Sequence, residues 1–190
     1  MTYVCGIDPG LAAAGVAAIA HPSIADTPNL PRVRVVGETG HGTDTPAQTA
    51  LRIRRQRHAV LRAMPPKVTL VVIEGLGHPN PKAPGMYRER AALVCGLEEY
   101  LAEHRIPFAE IPPAVLKLWA TGDGHAEKPA VHDAMVAMWP AANLVGPRGH
   151  PNSNMSDALA AATVGAQRLG WYAAELPHHF SPKVQWPEGI

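Results

Sequence analysis

Val68-Thr69-Leu70-Val71-Val72-Ile73-Glu74 is a nearly unbroken apolar run, mostly β-branched, that ends on a carboxylate. A strand with one wet face alternates apolar and polar residues, whereas a strand apolar at successive positions is covered on both faces by helices. This segment therefore predicts an α/β layering, and its flanks agree. Before it, Pro46 to Met64 carries Ala50, Ile53, Val60 and Met64 at helical spacing, interrupted by Arg57, with Arg52, Arg55 and Arg62 on a neighbouring, solvated flank. After it, a second helix from about Gly85 to His104 places Met86, Leu93, Leu97 and Leu101 on one face.

Further out, Thr2 to Ile7 is β-rich and closes in the turn Asp8-Pro9-Gly10, and Gly15 to Ala20 follows as the second strand of a hairpin. Arg32 to Glu38 alternates, with Val33 and Val35 on one side and Arg32, Arg34 and Val36 on the other. Toward the C-terminus come a short strand at Phe108 to Ile111, the segment Ala114 to Ala120, a glycine turn at 121–124 and a helix from about Lys128 to Trp139. The last helix, Ser156 to Leu169, is alanine-rich enough to pack closely on a sheet. A strand meander followed by alternating strands and helices implies a mixed five-stranded sheet flanked by helices. We expect one domain over 1–176 and a Pro/His-rich tail over 177–190.

Composition narrows the function. Of 190 residues 46% are hydrophobic and 17% charged, enough for a core and too apolar for disorder. Lys plus Arg is 17 against 16 Asp plus Glu, a net charge of +1, so a footprint for a polyanion must be local. Cys5 and Cys95 lie in apolar stretches without metal-ligand spacing, which excludes a zinc finger and argues for a reducing compartment. No stretch approaches the roughly 18 apolar residues of a membrane span, and no basic, apolar leader precedes Thr2. A cytoplasmic protein with no membrane partner is the expectation.

Three carboxylates stand where this fold can join them: Asp8 at the end of the first strand, Glu74 at the end of the buried strand, and Asp157 in the first turn of the last helix. Ligands of open α/β sheets collect beyond the carboxyl ends of the strands, where Asp8 and Glu74 meet if their strands are parallel neighbours. Asp8 also has an ordinary turn role, and Asp157 would complement a helix dipole. Glu74 resists such explanations, because Glu is disfavoured in strands and costly to bury unpaired. Oxygen-only ligands suit Mg²⁺ or Mn²⁺, and a pair of such ions ~4 Å apart is a common arrangement for phosphodiester hydrolysis. Lys82, Arg88 and Arg90 follow this edge and are the expected phosphate contacts.

Gly6-Ile7-Asp8-Pro9-Gly10, Val72-Ile73-Glu74, Lys117 to Lys128 (KLWATGDGHAEK) and Ser156-Asp157-Ala158-Leu159-Ala160-Ala161 together resemble RuvC, the Holliday-junction resolvase family of RNase H-like fold. The blocks run in the family's order over most of residues 2–169. The resemblance implies an RNase H-like nuclease domain acting as a homodimer on four-way DNA junctions, each subunit nicking one strand with Mg²⁺ and no nucleotide cofactor. It implies two ions per site, with Asp8, Glu74 and Asp157 as metal ligands and Lys117 and Lys128 near the scissile phosphate and DNA backbone.

Two departures stand out. The family's fourth ligand, Asp or His, falls on Asn154, whose carbonyl can still ligate Mg²⁺ without adding charge; His150 is near but at the wrong offset. The family's aromatic wedge after the strand Glu is missing from Gly75-Leu76-Gly77-His78, leaving Tyr87 or His78 as the candidate stacking group. The family's dimer helix corresponds to the one after Glu74, where Val94 or Tyr100 would be buried by the partner and Gly96 would allow close approach. Competing readings are an RNase H-like nuclease on other branched or single-stranded DNA, and a non-catalytic junction-binding protein. An actin-like or sugar-kinase fold would need a second phosphate loop and a longer chain.

Overall fold

The computed structural model describes residues 2–24, 30–40, 43–77, 86–147, 149–172 and 184–190. A single sheet runs in the order β3-β2-β1-β4-β5, built from β1 (Tyr3–Asp8), β2 (Ala14–Ala20), β3 (Arg32–Val36), β4 (Val68–Glu74) and β5 (Phe108–Ile111). β1 pairs antiparallel with β2 and β2 with β3, while β1 and β4, and β4 and β5, are parallel. The mixed five-stranded sheet read from the sequence is thus present, and β1 is where its pairing changes sense.

The two faces of the sheet carry separate cores. Cys5, Ile7, Val16, Val71 and Ile73 pack against α1 (Pro46–Ala63) and α2 (Tyr87–Glu103) through Val60, Leu93, Leu97 and Leu101. Val4, Ala17, Ile19, Leu70 and Val72 pack against α3 (Pro113–Thr121), α4 (Lys128–Met138) and α5 (Ser153–Arg168). Because strand side chains alternate between faces, residues 4, 6 and 8 of β1 and residues 70, 72 and 74 of β4 all lie on the α5 side. The register Val4↔Leu70, Gly6↔Val72 and Ile7↔Ile73 then brings the last of each set, Asp8 and Glu74, to one sheet end.

α5 sits on the sheet almost without spacing. A Cβ on Gly6 would lie 2.0 Å from the Ala158 carbonyl oxygen, and one on Gly15 would lie 1.8 Å from that of Asn154. Residues 155–166 of α5 are buried apart from Asp157. At the far end of the chain, Val184, Trp186 and Ile190 pack on the α5 side, where Arg168 Nη2 donates to the Ile190 carbonyl at 2.7 Å.

Several boundaries and faces differ from the sequence reading. α5 begins at Ser153 rather than Ser156, because Asn152 caps it by accepting from the Met155 amide at 3.1 Å. Asp157 therefore lies beyond the first turn, where the helix dipole has little hold on it. α1 is rotated so that Arg52, Gln56 and Val60 are buried, while Ala50 is exposed. Arg52 is not solvated: its Nε lies 3.4 Å from Asp44 Oδ2. Met86 precedes α2 with a positive φ of 75° and is exposed, so it does not join the Leu93, Leu97 and Leu101 stripe. Val94 is already buried within the chain, and the close approach at Gly96 is to Arg57 of α1. Val94 is not free for a partner. Tyr100 is half-buried and stacks on His104.

Candidate active site

Asp8, Glu74 and Asp157 converge, each offering a carboxylate oxygen within 4.8 Å of the others. Asp8 and Glu74 are buried and Asp157 is half-buried. Burial removes water that would solvate the charges, so all three hold their protons more tightly than usual, and Glu74 and Asp157 also face like-charged neighbours. Glu74 is pushed well up by burial and by Asp8 and Asp157, and its protonated carboxyl donates to Asp8. Asp8 is raised by burial, with the hydrogen bond from Glu74 and the charges of Arg90 and Lys128 opposing. Asp157 rises from 3.8 to about 7, through burial and Asp8, against Lys128 and Lys117.

Such an arrangement is costly unless a cation replaces the protons. Among the described residues it is the single cluster of three or more acids, cysteines or histidines able to share an ion. Its oxygen-only donors fit a hard divalent metal rather than zinc or copper. Asp8, Glu74 and Asp157 would hold it.

Positive charge surrounds the acids. The half-buried Lys117 on α3 and the exposed Lys128 at the start of α4 both act on Asp157, and Lys128 also on Asp8. The Lys128 ammonium lies 3.4 Å from Ser153 Oγ, which docks α4 against the first turn of α5. One turn further on, His132 Nδ1 meets Ser156 Oγ at 2.9 Å, a second rung between the same helices. Arg90 acts on both Asp8 and Glu74, and its Nε is buried without a hydrogen-bond partner among the described residues. Arg88 and Tyr87 are exposed at the start of α2. Lys82 and His78 lie outside the described residues.

Asn154 stands in the first turn of α5, where its Nδ2 donates to the Ala13 carbonyl at 2.6 Å and its Oδ1 lies 3.5 Å from Ser153 Oγ. His150 is exposed beyond the β1–β2 turn. Two residues near the site carry no chemical signature in the sequence, His132 and Gln56. The only trace of the first was its place four residues after Lys128, on the same helix face.

No family model and no curated protein matches the chain. Solved structures do. The chain superposes on the Thermus thermophilus RuvC structure with a TM-score of 0.55 and 19% identity, over 89% of this chain and 97% of that one. It superposes on T. thermophilus RuvC in complex with Holliday junction substrate with a TM-score of 0.60 and 20% identity, over 90% and 97%. The mixed sheet, the helices on both faces and the acids at the end of β1 and β4 thus belong to a chain with the RuvC fold.

Proposed function

We propose that this protein is a metal-dependent endodeoxyribonuclease that resolves four-way DNA junctions by paired nicks. The observation that carries the reading is the convergence of Asp8, Glu74 and Asp157 within 4.8 Å, beside Lys117 and Lys128, at one sheet end. The fold is shared with a protein solved in complex with a Holliday junction. Acids that resist ionisation so strongly are an expensive way to make a stable protein and a direct way to make a cation site.

Asp8, Glu74 and Asp157 would hold the ions, with Asn154 offering its Oδ1. A divalent pair there would neutralise the developing negative charge of a phosphodiester and make water nucleophilic at neutral pH. Lys117 and Lys128 would contact the phosphate backbone and balance the charge that the acids retain. Arg88 and Arg90, with Lys82, would extend the phosphate contacts toward the start of α2, and Tyr87, exposed on the same turn, would stack on an unpaired base.

Paired nicks require two sites in fixed relation, which a two-fold dimer supplies. With Val94 buried internally, the surface α2 offers a second copy is Ala92, Cys95 and Glu99, all exposed and at helical spacing. A two-fold pairing there would bring the small Ala92 and Cys95 of the two copies together, with Glu99, which pairs with Arg57 of its own chain at 3.7 Å, at the margin. The reading is tested by incubating the protein with a mobile four-way junction, a duplex and a single strand, in Mg²⁺ or EDTA, and mapping the nicks. Symmetric, Mg²⁺-dependent nicks confined to the junction are expected; cleavage of single strands alone would overturn it.

A further inference from the structure

The turn between β1 and β2 carries Asp8 at its start, and two side-chain amides grip it from opposite sides. Gln56 of α1 is 1% exposed and donates from Nε2 to the Gly10 carbonyl at 2.8 Å and to the Val36 carbonyl at 3.1 Å. Asn154 of α5 donates from Nδ2 to the Ala13 carbonyl at 2.6 Å. Gly10 is itself bonded to the Asp8 carbonyl through its backbone N–H at 2.9 Å. The chain between the two grips is therefore held at each end by an element belonging to a different layer.

The surroundings are built around this clamp. Gly37, directly after β3, has a φ of 147°, and a Cβ there would lie 2.4 Å from the Ala12 carbonyl oxygen and 2.9 Å from Gln56 Nε2. No side chain fits where the amide enters. Gln56 Oε1 is buried without a hydrogen-bond partner among the described residues, an unfavourable state that an apolar side chain of the same length would avoid. What the glutamine supplies here is its two donated bonds, which an apolar side chain of the same length could not make.

We infer that Gln56 and Asn154 are positioning residues, a two-point amide clamp that fixes the Asp8 turn so that the three carboxylates keep the spacing a divalent cation needs. The clamp rests on the metal-centre reading above and adds Gln56 to it, a residue of a different element from any of the three acids. Groups that hold ligands in place commonly change metal affinity on the order of 10-fold or more when removed.

Hydrogen exchange and calorimetry on the full chain test it. Gln56→Met keeps the length of the side chain and removes both donors. Asn154→Asp keeps the ligating oxygen and removes the donor to Ala13. In EDTA, both variants are expected to exchange the amides of residues 10–14 faster than the wild type, by a larger factor than the amides of β4, so that a general loss of stability does not account for it. Gln56→Met, whose side chain is no metal ligand, should bind Mn²⁺ on the order of 10-fold more weakly by calorimetry. Wild-type exchange over the turn in either variant, or wild-type Mn²⁺ affinity in Gln56→Met, would overturn the clamp. A wild-type chain that binds no Mn²⁺ would instead defeat the metal-centre reading, and the exchange arm would still decide whether the turn is clamped.

Discussion

Replacing Asp157 with asparagine removes one charge from the acid cluster and leaves the shape of the side chain nearly unchanged. In the folded chain the Asp157 carboxyl titrates at about 7 instead of 3.8. A carboxyl whose proton is held more tightly in the folded than in the unfolded chain contributes stability that is fully present below about pH 4 and is lost as pH rises through about 7. At pH 8 the loss is complete, and at about 1.4 kcal/mol per pH unit it reaches up to ~4 kcal/mol. Relaxation of the site and entry of water return part of this, so we expect Asp157→Asn to stabilise the metal-free protein by about 2 kcal/mol at pH 8, a rise of ~4–8 °C in Tm for a chain of this length. The gain should shrink toward pH 4, where the wild-type group is neutral in both states. Magnesium should do the opposite, raising the wild-type Tm by ligand linkage and leaving the variant nearly unmoved. Thermal unfolding of both proteins at pH 4, 6 and 8, in EDTA and in Mg²⁺, reads all of this. A variant no more stable than the wild type in EDTA at pH 8 would refute the claim that the carboxylates are mutually strained.

Other outcomes follow from the same geometry. Asp8→Asn should abolish nicking while junction binding in a gel-shift assay stays within about threefold, since it takes charge from the cluster and none from the DNA contacts; nicking at the wild-type rate would exclude Asp8 from the chemistry. Lys128→Ala removes a positive charge that helps Asp157 and Asp8 ionise, so the pH at which Mg²⁺ half-saturates the site should move upward, measured by calorimetry across pH 6–9. Ala92→Glu, which puts bulk and charge on the exposed face of α2, should weaken self-association in sedimentation; a monomer at every concentration in the wild type, with and without junction DNA, would end the dimer proposal.

The mixed sheet was legible from the order of strand and helix segments, and the meeting of Asp8 and Glu74 from a period of two, given parallel neighbouring strands. Asp8 and Glu74 each close a buried run, so parity together with parallel pairing puts them side by side. Asp157 was legible as a residue but not by its place in its helix, since the cap at Asn152 starts α5 a turn earlier than the first apolar positions suggest. α1 was misread for a different reason. Its buried face carries Arg52 and Gln56, whose polar ends meet Asp44, Gly10 and Val36, and no hydrophobic periodicity marks a face made of polar side chains with distant partners. Val94 shows the same limit on the apolar side: one valine beyond a leucine stripe was as consistent with a subunit contact as with the intramolecular burial it has. Gln56 was invisible, because a glutamine among arginines signals nothing until the turn it holds comes into view.

The contact between α5 and the sheet has an implication for how the site can change over time. Asp157 is carried by a helix whose height above β1 and β2 is set by two missing methyl groups, at Gly6 and Gly15. A single alanine at Gly6 would lift the helix backbone and withdraw the third carboxylate without altering any residue of the cluster. Sequence drift can therefore silence this site from beneath it. A descendant could keep Asp8, Glu74 and Asp157 in perfect order and still be unable to gather them around one ion.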